Sequence, residues 1–211
     1  MSPNRLIVIE GPIGVGKTTL AQLLAQEMGA DLVLEKVEEN PFLPLFYQNP
    51  EKWAFQTQIS FLFSRARQME TLLQQSLYTD MTITDYFFPR DRIFAYMNLK
   101  EEELVLYEQI YKLLNPNVPK PDLVVFLQAD TDTLFDRIRQ RGRPYEKEIR
   151  PLYLRNLNEA YNRFFFLYDE SPLLIVQASD ITLLQRPDDL AHLVAQIKQL
   201  KRGKEYYHPG R

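Results

Sequence analysis

Residues 6–19 read Leu6-Ile7-Val8-Ile9-Glu10-Gly11-Pro12-Ile13-Gly14-Val15-Gly16-Lys17-Thr18-Thr19, and this stretch decides the fold. Leu6–Glu10 is short, apolar and β-branched and stops at a glycine, the pattern of a buried strand. From Lys17 to Met28, the residues Leu20, Leu23, Leu24 and Met28 fall on one helix face. Between strand and helix, Gly11–Thr18 fits G-x-x-x-x-G-K-[ST]. Such glycines let backbone N–H groups converge on phosphate oxygens, and the helix N-terminus adds partial positive charge. Lys17 can reach β- and γ-phosphates, and the Thr18 hydroxyl can ligate Mg²⁺. A chance glycine turn would lack the strand before it and the amphipathic helix after it.

Outward from this loop, short apolar runs alternate with helical patterns. Strands are expected at Asp31–Glu35, Thr82–Asp85, Asp122–Gln128 and Leu173–Gln177. Helices are expected from Pro50 to about Leu77, with Ile59, Phe63, Ala66, Met69 and Leu73 recurring on one face, and at Leu104–Leu114, closed by Asn115-Pro116. Others fall at Thr131–Arg141 before Gly142, at Pro151–Tyr168 and at Pro187–Leu200. Five strands separated by helices predict a single α/β domain over residues 1–211, a five-stranded parallel sheet with helices on both faces. Its chemistry belongs beyond the carboxyl ends of the strands. The polar tail Lys201–Arg211 reads as a frayed end.

Composition removes other classes. The 211 residues contain no cysteine, which excludes disulfides, thiolate metal sites and a cysteine nucleophile. Two histidines are too few for a histidine metal cage. A net charge of −3 gives no footing for bulk nucleic-acid or membrane binding. The apolar run at the N-terminus is too short for a signal peptide or a membrane span, so a cytoplasmic protein is expected. There is no N/T-K-x-D base-reading motif of a GTPase switch and no apolar run ending in Asp-Glu of a motor ATPase. A small phosphotransferase with a P-loop kinase fold remains.

Transfer to a hydroxyl needs a proton acceptor and cations for the migrating charge. Glu35 and Asp85 stand at strand ends on the loop's edge of the sheet, and either could be the base; Asp85 could also help Thr18 hold Mg²⁺. Arg137, Arg139, Arg141 and Arg143 straddle a helix end and run into a Gly-Arg-Pro segment, an arginine-rich lid at about 141–150. Arg137 and Arg141 share a helix face, and guanidinium groups suit phosphate clamping.

These residues resemble the deoxynucleoside kinase family, most closely its bacterial deoxyadenosine and deoxyguanosine kinase branch. The likeness covers the phosphate loop, Glu35 with Glu39-Asn40-Pro41-Phe42, Tyr47, Pro50–Gln58, Ser64–Arg67, Asp85 with Asp91–Ala95, and Arg137–Glu146. It implies that Glu35 binds the sugar 5′-hydroxyl as base and that Tyr47 and Glu146 hold the 3′-hydroxyl. Gln58 would read the nucleobase edge with both amide groups, Arg65 with Asp91 would fix base preference, and Trp53 would wall the base pocket. From the residues themselves, Gln58 is donor and acceptor in one side chain, and it lies seven residues from Arg65 on one helix face. Arg137, Arg141 and Arg143 would clamp the phosphates of ATP, with its adenine near Ser179-Asp180-Ile181.

One departure stands out. The family commonly has an arginine after the third-strand acid, whereas Asp85 is followed by Tyr86-Phe87. Arg90 or Arg92 could substitute from the next loop. The resemblance further implies a homodimer, a purine deoxynucleoside as acceptor and ATP with Mg²⁺ as donor. A nucleoside monophosphate kinase is the rival enzyme, and a nucleotide-dependent binding switch the rival outside enzymes.

Overall fold

The computed structural model describes residues 5–75, 80–114, 118–179 and 186–210, without the side chains of 71–75. The expected Leu73 contact, helix end at Leu77, Asn115-Pro116 stop and Asp180-Ile181 contact lie outside what is described. Six strands form one parallel sheet: β1 (Arg5–Glu10), β2 (Asp31–Val33), β3 (Met81–Thr84), β4 (Leu123–Gln128), β5 (Leu173–Gln177) and β6 (Lys204–Tyr207), in the order β2-β3-β1-β4-β5-β6. The helices are α1 (Lys17–Met28), α2 (Leu43–Gln48), α3 (Pro50–Gln75), α4 (Asp91–Asn98), α5 (Glu101–Leu114), α6 (Thr131–Arg141), α7 (Pro151–Leu167) and α8 (Pro187–Gln199).

The sheet has one strand more than the sequence suggests. Instead of fraying, the tail pairs as β6 with β5, Leu173 opposite Lys204 and Val176 opposite Tyr207. Lys-Glu-Tyr-Tyr is too short and too charged to declare itself a strand, but it covers the otherwise open edge of β5. Lys204 Nζ donates to the last carbonyls of α7, Phe165 O at 3.0 Å and Phe166 O at 2.7 Å, and Tyr207 Oη donates to Asp189 O at 3.1 Å. Elsewhere the bounds move by a few residues for local reasons. β2 ends at Val33, and two residues on Glu35 N donates to the Asp85 carboxylate at 2.7 Å instead of to a neighbouring strand. Asp122 lies just outside β4, and its side chain accepts Leu6 N at 2.8 Å, holding the start of β1.

β1 is the switch strand. The chain winds from β1 to β2 and β3 on one side, then crosses to β4, β5 and β6 on the other. Ile7, Ile9, Leu123, Val125 and Leu174 are fully buried where helices cover the sheet. A second apolar cluster, with Leu62, Met69, Tyr86, Phe88 and Tyr107, joins α3 to α5 and the segment after β3. A third, around Leu43, Phe46 and Ala54, joins α2 to α3. The carboxyl ends of β1, β2 and β3 thereby open beneath α2, α3 and the segment after α6.

Candidate active site

The phosphate loop follows β1 as expected. Gly14 has φ +85°, and a Cβ there would lie 2.8 Å from both Leu134 O and Ile138 Cγ1, so backbone freedom and the approach of α6 both require glycine. A Cβ on Gly11 would lie 2.6 Å from Leu127 O of β4. Lys17 Nζ is held back on the loop by Gly11 O at 2.6 Å and Pro12 O at 3.1 Å. Burial lowers its pKa to about 8, against the pull of Glu10. Ile13 and Gly14 face the cavity, Val15 is buried and Thr19 is exposed.

Thr18 Oγ1 donates to Asp85 Oδ2 at 2.5 Å, and Asp85 Oδ1 accepts Glu35 N at 2.7 Å. One carboxylate thus joins the helix after the loop to the segment after β2. The register explains it: Val33 pairs with Thr84 and Thr84 with Val8, bringing the ends of β2, β3 and β1 together.

A cavity of about 310 Å³ lies beyond this point, within the size range of small-molecule sites. Glu35 stands at its inner end with both oxygens engaged. Oε1 accepts Arg65 Nε at 2.8 Å and Nη2 at 2.6 Å, and Oε2 accepts Arg90 Nη2 at 2.6 Å. Burial alone would raise its pKa, but the two arginines outweigh burial and hold it at about 2. Arg65 also pairs with Asp91, the acid expected near it, and stacks on Phe61 at 4.7 Å.

Of the two arginines that could stand in for the one missing after Asp85, Arg90 is the one that reaches Glu35. It sits in a short 3-10 turn (Phe88–Arg90), 3% exposed, between Glu35 and Glu10, whose Oε1 lies 3.3 Å from Nη1. Arg92 points elsewhere, to Glu108 at 2.9 and 3.1 Å.

Two expectations need correction. Gln58 does not present both amide groups. Its Nε2 donates to Asp91 O at 2.9 Å and Asp91 Oδ2 at 2.7 Å, so Oε1 is what it offers the cavity. Asp91 is shared further, accepting from Tyr107 Oη at 2.9 Å. Trp53 does not line the cavity but stacks on Phe42 at 5.9 Å; Phe61, Ala54 and Thr57 supply that wall of α3.

The expected lid is folded on itself. Arg141 grips Glu146 through Nε at 3.1 Å and Nη2 at 2.6 Å, and Arg143 pairs with Glu38 at 2.8 Å. Tyr145 lies parallel to Tyr47 at 6.2 Å, closing that side of the cavity. Arg137 is turned to the backbone, reaching Val15 O at 3.3 Å, Ala178 O at 2.8 Å and Ser179 O at 3.1 Å, and so ties the phosphate loop to the segment after β5. Asp180 lies outside the described residues.

Sequence reasoning missed Glu10 and Tyr161. Glu10 ends an apolar strand with a carboxylate that is fully buried, and an acid just before a phosphate loop was the available signal. Tyr161 lies on α7 and carries no local mark; its hydroxyl reaches Glu10 at 3.4 Å.

A family model described as "Deoxynucleoside kinase" matches residues 7–202. A deoxyguanosine kinase of Bacillus subtilis is 36% identical over 205 residues, covering 95% of this chain and 99% of the relative. A deoxyadenosine/deoxycytidine kinase of the same organism is 29% identical, covering 92% of each. The solved structure of a deoxyadenosine kinase from M. mycoides with bound dATP superposes with a TM-score of 0.77 at 26% identity, covering 93% of this chain and 100% of that one.

Proposed function

This chain belongs to the deoxynucleoside kinase family, and from that premise we propose that it moves the γ-phosphoryl group of ATP onto the 5′-hydroxyl of a purine deoxynucleoside, with Glu35 receiving the proton. The observation that carries the reading is the position of Glu35. It lies between the Thr18–Asp85 pair on the donor side and the cavity on the acceptor side, gripped by Arg65 and Arg90.

An incoming 5′-hydroxyl would take one of these carboxylate contacts. Held well below the usual carboxylate range by Arg65 and Arg90, Glu35 is ionised at neutral pH before the substrate arrives, so it orients the hydroxyl and accepts its proton late, as the phosphoryl bond forms. Arg90 and Lys17 stand on either side of that path and offset charge on the migrating group. Thr18 and Asp85 supply a hydroxyl and a carboxylate, the hard oxygen donors that Mg²⁺ takes alongside water and substrate phosphates. When bound there, the ion would neutralise charge on the β- and γ-oxygens.

We read residues 141–150 as the lid, with Arg141 and Arg143 exchanging their carboxylate partners for phosphate and Glu146 and Tyr47 turning to the sugar. Purine preference is supported by the deoxyguanosine and deoxyadenosine kinase relatives. Gln58 Oε1 then accepts from a donor on the base edge. A cytoplasmic homodimer completes the reading. Exposed Val105, Leu106 and Leu113 on α5 and Phe63 on α3 support the dimer. Among the described residues no helix is long and apolar enough to cross a membrane.

A coupled ADP-release assay tests the reaction, with ATP and Mg²⁺ against deoxyadenosine, deoxyguanosine, deoxycytidine, thymidine and their 5′-monophosphates. The expected result is highest turnover with a purine deoxynucleoside, and a fall of about 10²–10⁴-fold in Glu35→Gln. Turnover confined to monophosphates would overturn the acceptor assignment, and full turnover in Glu35→Gln would remove Glu35 as base.

A further inference from the structure

Glu10 closes β1 one residue before the phosphate loop, and its side chain is fully enclosed. The strand itself does not ask for an acid there, since Leu6–Ile9 are apolar and a buried carboxylate is costly unless it is paired. Glu10 Oε1 gathers three donors: Gly11 N at 2.7 Å, Arg90 Nη1 at 3.3 Å and Tyr161 Oη at 3.4 Å. Among the described residues Oε2 has no hydrogen-bond partner. Burial pushes the carboxyl up, and Arg90, Lys17 and the Gly11 N–H oppose that rise.

The guanidinium of Arg90 is planar and rigid, so its direction is set by what its nitrogens meet. Glu35 takes Nη2 from the acceptor side at 2.6 Å. That contact alone would leave the plane free to swing. Glu10 takes Nη1 from the end of β1 and completes a two-point hold. Because the same Glu10 oxygen also accepts from Gly11, the arginine and the first glycine of the loop share one anchor.

We infer that Glu10 is a positioning residue for phosphoryl transfer: it fixes the plane of Arg90 against the phosphate loop so that the guanidinium faces the migrating group. This rests on the reading of Arg90 given above. Glu10 touches neither substrate; it acts through Arg90.

The experiment compares Glu10→Gln, Glu10→Asp, Arg90→Met and the double variant Glu10→Gln/Arg90→Met in the full chain, with kcat and KM for both substrates. Glu10→Gln keeps the shape and the Gly11 contact but loses the charge, and kcat falls by about 10- to 100-fold. KM for the nucleoside stays within about 2-fold, because the lost interaction serves transfer rather than binding. Glu10→Asp keeps the charge but withdraws it by one methylene, and its kcat is intermediate. The double variant is no slower than Arg90→Met alone, since the Glu10 charge then has no guanidinium to orient and the Gly11 contact is kept by the amide oxygen of Glu10→Gln.

Full kcat in both Glu10 variants, a loss confined to KM, or losses that multiply with that of Arg90→Met would overturn the inference. If Glu10→Gln does not fold, as read by thermal unfolding, Glu10→Asp decides alone. Unchanged kcat in Arg90→Met would instead overturn the reading of Arg90 itself.

Discussion

The two halves of the site are built by opposite means. The donor half is one continuous stretch, Gly11–Thr19, whose working parts are backbone N–H groups, positive-φ glycines and one lysine resting on two carbonyls. The acceptor half is drawn from four distant segments. Its working parts alternate in sign through the interior: Glu10, Arg90, Glu35, Arg65 and Asp91. A backbone cradle works residue by residue. A buried chain of charges works only when every member is present, because each removal leaves a neighbour uncompensated in a low-dielectric interior. Damage to the donor half should therefore strike chemistry, and damage to the acceptor half should strike chemistry and folding together.

The sharpest way to break that contrast is to remove one cation from each half. Lys17→Met is expected to lower kcat by about 10²–10³-fold, the scale for losing one preorganised charge donor. Its thermal midpoint should hold or rise, since burial already lowers the Lys17 pKa to about 8 and the charged form is disfavoured in the fold. Arg65→Met leaves Glu35 and Asp91 short of counter-charge and should cost about 3–5 kcal/mol of stability as well as activity. Kinetics and thermal unfolding on both variants decide it. Equal midpoints would mean that the ion chain is no more cooperative than the loop.

The halves should also differ in pH dependence. Lys17 is protonated below about pH 8 in the free enzyme, so kcat/KM for ATP should fall as pH rises through that value. Glu35, held at about 2 by Arg65 and Arg90 against burial, is ionised throughout the neutral range. Glu35 should then add no acid limb above about pH 4, by the ordinary width of a titration. An acid limb between about pH 5 and 7 in kcat/KM for the nucleoside that persists in Glu10→Gln would show that the arginines do not hold the Glu35 carboxylate as described.

Legibility in the sequence follows the same division. Gly11, Gly14, Gly16, Lys17 and Thr18 were readable because backbone geometry imposes a fixed spacing. The strands β1, β4 and β5 were readable because burial on both faces demands unbroken apolar runs. The edge strand β6 was not, because it is half exposed and charged and exists only through its pairing with β5. On the acceptor side, residue types could be named, but which oxygen met which nitrogen could not. Arg90 and Arg92 are two residues apart and chemically alike. Only the 3-10 turn ending at Arg90 turns one into the site and leaves the other on Glu108. Gln58 looked able to offer both its amide groups because nothing in a helix pattern shows that Asp91, thirty-three residues later, takes the amide nitrogen.

Helix α6 is the element the two halves share, and it yields the smallest effect. Leu134 and Ile138 press against Gly14, and Arg137 reaches Val15 O on the donor side. One turn on, Arg141 grips Glu146 on the acceptor side. The helix is started by Asp130, whose carboxylate accepts Thr133 N and the Thr133 hydroxyl, both at 2.8 Å. Asp130→Ala removes an N-cap and should cost about 1 kcal/mol. At this chain length that is a fall of about 2–4 °C in the thermal midpoint. Neither half loses a residue of its own, and packing against the sheet keeps the helix in register. Both KM values should therefore move together and by less than about 2-fold. A change in KM for one substrate alone would show that α6 belongs to that half rather than joining the two.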